Sequence, residues 1–65
     1  VRSPVDNQTY DLLQALTSKC EAIEAYAKYE EDADGEVRQL FQELAGEESR
    51  AAERILETLR SRLAR

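Results

Sequence analysis

"DADG", residues 32–35, interrupts two long periodic stretches, and its reading decides the fold. Asp32 or Asp34 can cap a new helix, because a short carboxylate side chain accepts from the free N–H groups of a first turn, and Gly35 tolerates the backbone of a tight reversal. Before this break Leu13, Leu16, Cys20, Ile23 and Ala27 recur by threes and fours. After it Val37, Phe41, Leu44, Glu48, Ala51, Ile55 and Leu59 do nearly the same, the spacing of one face of an α-helix. At the start, "SPVD", residues 3–6, offers Ser3 as a cap, Pro4 for the first helical position and Asp6 three residues after the cap. The pattern predicts an all-α fold in one domain over residues 1–65: a two-helix antiparallel hairpin. Helix one covers about 4–32, the turn about 33–35 and helix two about 36–63. Each helix is roughly 40 Å long at 1.5 Å per residue.

A chain of 65 residues struggles to bury enough apolar surface to offset the entropy of its own ordering. Disulfides within the chain cannot help, since Cys20 is the only cysteine, and without histidine a zinc site of the usual kind is disfavoured. Self-association remains as the supplement. Helix one asks for it directly: Leu12, Ala15, Ala22, Tyr26 and Tyr29 widen its apolar arc beyond what one neighbouring helix can cover. Glu30, Glu31, Asp32, Asp34 and Glu36 gather at the turn, whereas Arg2, Arg60, Arg62 and Arg65 gather at the opposite end. Two hairpins stacked with their turns at opposite ends would set acid beside base and bury both arcs. The predicted assembly is an antiparallel homodimer forming a four-helix bundle, the arcs driving association and the charges choosing orientation.

A formal net charge of −5 disfavours general attraction to nucleic acid or to an anionic membrane. No apolar run approaches the roughly 20 residues that a membrane span requires. The unpaired cysteine, expected on the core stripe as a buried thiol, fits a reducing, cytoplasmic setting. Tyr10, Tyr26 and Tyr29 read as amphipathic core-edge residues and Phe41 as packing.

Glu48 breaks the pattern, because the spacing places it among Leu44, Val37, Ile55 and Ala51 on the apolar face. A carboxylate buried there needs a cation, a donor, a metal or water. In an antiparallel hairpin Glu48 lies level with Glu21, and Glu24 and Lys19 fall within a turn of it. Two readings follow. Glu48, Glu21 and Glu24, doubled by a dimer twofold, form a carboxylate layer that a divalent metal would neutralise. Alternatively Lys19 pairs with Glu48, a hydroxyl of Tyr10 or Tyr26 donates, and no metal is needed.

The stretch "CEAIEAYAKYEEDADGEVRQLFQELAGEESRAAERIL", within a match over about residues 12–60, resembles a half-bundle of the ferritin-like superfamily, in particular encapsulated ferritins and, more loosely, rubrerythrins. Such halves carry a Glu and an aromatic on the first helix, an acidic turn, then Glu-x-x-His on the second. Glu21 with Tyr26 fits the first part, "VRQLF" leads into the second, and Glu48 matches its Glu. Ala51 stands where the histidine belongs, and the rubrerythrin alignment puts Lys19 at the first-helix ligand position. The resemblance implies a ferritin-like bundle, an iron-related ancestry and an encapsulating shell protein as partner. The missing imidazole implies that iron oxidation is degenerate and shifts the expected ion from Fe toward Mn, Ca or Mg. Enzymatic activity is not expected. The alternative is a non-catalytic hairpin that dimerises as a scaffold or interaction module without metal.

Overall fold

A computed structural model describes residues 4–64. Two helices, α1 (Asn7–Glu31) and α2 (Gly35–Leu63), pack against each other along their length as an antiparallel hairpin. Among the described residues no helix is long and apolar enough to cross a membrane.

α1 starts at Asn7 rather than near residue 4, and the reason is a competing cap. Asp6 adopts the extended backbone of an N-cap, and its Oδ1 accepts from the Thr9 N–H at 2.7 Å. That bond satisfies one of the donors a helix start leaves free. Ser3, the expected cap, lies outside the described residues, as do Arg2 and Arg65.

At the other end Asp32 closes α1, and Asp34 takes the N-cap position of α2. Its carboxylate nevertheless makes no capping hydrogen bond, contrary to the sequence expectation. Order comes instead from Arg38, whose Nε donates to the carbonyls of Ala33 (3.0 Å) and Glu30 (3.2 Å). Glu30 O also accepts from the Ala33 N–H at 3.2 Å, so the guanidinium braces the turn just past the end of α1. Gly35 carries φ +55°, the left-handed region where a side chain is strained.

The hairpin is one helix thick, with principal extents of 47 × 25 × 11 Å. Its radius of gyration, 15.0 Å, exceeds the roughly 11 Å of a compact domain of this length. It exposes 5331 Å², against roughly 4,200 Å² for a compact monomer of equal mass. Only Thr9, Ala52 and Leu59 are buried among the described residues. Tyr10, Leu13, Tyr29, Val37, Leu40 and Leu63 remain between 41 and 67% exposed.

The seam between the helices differs from the stripe read on helix one. Leu13, Cys20 and Ala27 are exposed, whereas Leu12, Leu16, Lys19, Ile23 and Tyr26 are half-buried, again at spacings of four and three. An arc wider than one partner contains two acceptable stripes, and α2 faces the one displaced toward Leu12 and Tyr26. On α2 the expected Phe41, Leu44, Glu48, Ala51, Ile55 and Leu59 are half-buried or buried, joined by Ala52. Val37 is exposed.

Candidate functional site

Lys19 is the thirteenth of 25 residues in α1 and Glu48 the fourteenth of 29 in α2, so both stand at mid-length of the hairpin. The antiparallel pairing makes them level, and Lys19 Nζ lies 3.0 Å from Glu48 Oε2. Their side chains are 38 and 23% exposed, respectively. The contact is an ion pair off the line of a directed hydrogen bond. Oε2 is shielded from solvent, yet no hydrogen-bond donor is aligned on it. No tyrosine hydroxyl supplies that bond.

Glu48 is thus turned into the seam, as its place in the sequence implies, with Lys19 as its neighbour. Glu21 and Glu24 are exposed. Within one chain, and among the described residues, no three acidic or cysteine side chains come together in a group that could hold a metal ion. The hairpin alone therefore assembles the Lys19–Glu48 pair, with Glu21 and Glu24 exposed and not gathered with Glu48 into one group.

Two further constellations were not read from the sequence. At the terminal end, Arg62 ties the helices together: its Nη2 donates to Asp6 Oδ2 at 2.9 Å and its Nε to Thr9 Oγ1 at 3.4 Å. Thr9 hydrogen bonds, and secondarily the Arg62 guanidinium, hold the Asp6 carboxyl below its usual 3.8. Asp6 and Thr9 at cap and third position are a sequence signal for this arrangement; the contact of Arg62 with them, more than fifty residues away, is not. At the turn end, Tyr26 stacks on Phe41 with centroids 6.0 Å apart, and Tyr29 lies 5.4 Å from Phe41 and 6.1 Å from Tyr26.

One side of the hairpin joins a stripe from each helix. Ala15, Ala22 and Tyr29 on α1, and Val37, Leu44, Ala51 and Thr58 on α2, are each seven apart and therefore form one stripe per helix. Tyr29, Val37 and Phe41 border a shallow concavity at the turn end. Leu12, Ala15, Thr58 and Arg62 border another near the termini, and Leu12, Ala51 and Ile55 one beside it. Aromatic rings thus occupy the turn end of this side, and Leu12, Ala15, Thr58 and Arg62 the other end. The class this geometry defines is a helical hairpin with an uncovered apolar face. No protein-family model, curated protein or solved structure matches the chain.

Proposed function

We propose that this chain is a self-association module: two copies cover each other's open face as a four-helix bundle with their turns at opposite ends, and no metal is required. The observation that carries the reading is the hairpin's total exposed surface, 5331 Å² against roughly 4,200 Å² for a compact monomer of this mass, an excess on the scale of the ~800 Å² per partner of an ordinary stable interface. Orientation follows from shape and charge. Turns at opposite ends lay the Tyr26, Tyr29 and Phe41 rings over the concavity at Leu12, Ala15 and Thr58. The same arrangement brings Asp32, Asp34 and Glu36 toward Arg54 and Arg62. Turns at the same end would set ring on ring and acid beside acid.

A second reading keeps the ferritin-like resemblance, with Glu48 and either Glu21 or Glu24 from both copies around a divalent ion. One observation favours it: the shielded Glu48 oxygen without an aligned donor. Thermal unfolding over a wide range of chain concentration, with chelator or with added Mn²⁺, tests both. For the metal-free dimer the midpoint rises with chain concentration and is indifferent to either addition. A midpoint independent of concentration ends the self-association reading. Strong stabilisation by Mn²⁺, lost in Glu48→Gln, makes the second reading the correct one.

A further inference from the structure

Resting on the dimer proposed above, we infer that Lys19 and Glu48 pair between chains as well as within them, forming a central layer of two cations and two carboxylates that fixes the register of the bundle. Three observations lead there. Both residues stand at mid-length of their helices, so a twofold that reverses the hairpin end for end returns each to its own level. Lys19 lies between the seam residues Leu16 and Ile23 on one side of its helix and Ala15 and Ala22 of the open face on the other, which points it diagonally toward the middle of a four-helix core. Finally, Glu48 Oε2 is shielded and has one cation beside it but no aligned donor, while Lys19 has three N–H groups and remains partly exposed in the single hairpin.

The second copy supplies what is missing. Lys19 of the partner subunit enters the same layer from across the axis and can donate to Glu48, and the reverse holds by symmetry. Sliding one copy by a turn along the other would move each charged pair against apolar neighbours such as Ile23, Leu44 or Ile55 and leave it without its counter-charges. Such mismatched burial is unfavourable, so the layer opposes slipped registers even where its net contribution to stability is small.

A mixing experiment tests this. Lys19→Glu gives chains with carboxylates at both positions, and Glu48→Lys gives chains with ammonium groups at both. Each variant alone should dimerise at least about tenfold more weakly than wild type. Mixed in equal amounts at physiological salt, they should form heterodimers well beyond the roughly one half of random pairing, because unlike charges then meet across the axis. If either variant unfolds alone, recovery of helical circular dichroism on mixing is the same positive result. Lys28→Glu mixed with Glu21→Lys carries identical net charges on exposed positions and serves as the control. Random pairing of the Lys19 and Glu48 variants, preference no greater than the control, or failure of the mixture to refold overturns the charged layer. A monomeric wild type would instead overturn the self-association reading on which it rests.

Discussion

The two ends of the hairpin solve the same packing problem differently. At the terminal end the chain closes on itself: Thr9, Ala52 and Leu59 are buried, and Asp6, Thr9 and Arg62 tie the first turn of α1 to the last turns of α2. At the turn end the covalent connection and Arg38 hold the helices together, and Tyr29 and Val37 stay about half exposed. Leu59 with Thr9, Ala52 and a polar clasp closes the terminal end, although Tyr10 and Leu63 stay exposed there, whereas the Tyr26, Tyr29 and Phe41 rings at the turn end are only part-covered. Under the proposed dimer each end completes the other, rings from one copy seating over Leu12, Ala15 and Thr58 of its twin.

The largest effect is expected at Leu59, which is 3% exposed and the most buried large side chain among the described residues. Leu59→Ala should lower the unfolding free energy by about 2–4 kcal/mol in chemical denaturation, with the loss felt by the folded hairpin itself. Tyr29→Ala, at the open end, should act mainly on association. About 2 kcal/mol, a roughly thirtyfold weaker dimer by sedimentation, is expected from losing an aromatic that anchors an interface. Equal loss of hairpin stability and of association from the two substitutions would remove the distinction between the ends.

A smaller effect is expected at Gly35. An added Cβ meets nothing within 4 Å, so Gly35→Ala isolates the strain of φ +55°. It should destabilise by about 1 kcal/mol in urea unfolding; a neutral result would mean that the turn relaxes to another backbone shape.

The smallest concerns the clasp and its pH dependence. Because the folded Asp6 carboxyl titrates below its unfolded 3.8, its stabilisation is present above that value and disappears as pH falls through the lower folded pKa. Urea midpoints of wild type should therefore fall more steeply with acidification below about pH 4 than those of Asp6→Asn. Parallel acid profiles would show that the clasp contributes nothing through ionisation.

The hairpin was legible in the sequence because spacings of three and four stop at "DADG" and resume after it with no other break. Glu48 was legible too, as a carboxylate out of place, and Lys19 as one of its neighbours through antiparallel register. The seam of α1 was only half legible. Leu12 and Tyr26 compete with Leu13, Cys20 and Ala27 on an arc broad enough for both, and the position of α2 decides between them. The start of α1 reads from the sequence as a Ser3 cap with Asp6 three residues on, whereas Asp6 is itself the cap. Arg38 leaves no sequence signature at all: a guanidinium reaching carbonyls at the end of a preceding helix depends on the exact turn geometry. Which carboxylates share a layer in an assembly is likewise set by how two copies meet, and one chain's sequence contains only half of that information.

The proposed dimer gives this hairpin its interior by sharing one between two copies. Sedimentation velocity across a dilution series, with helicity followed by circular dichroism on the same samples, tests it most directly. A helical species of twice the 7.4 kDa chain mass that loses helix as it dissociates is the expected result. A fully helical 7.4 kDa species persisting at low micromolar concentration would contradict it.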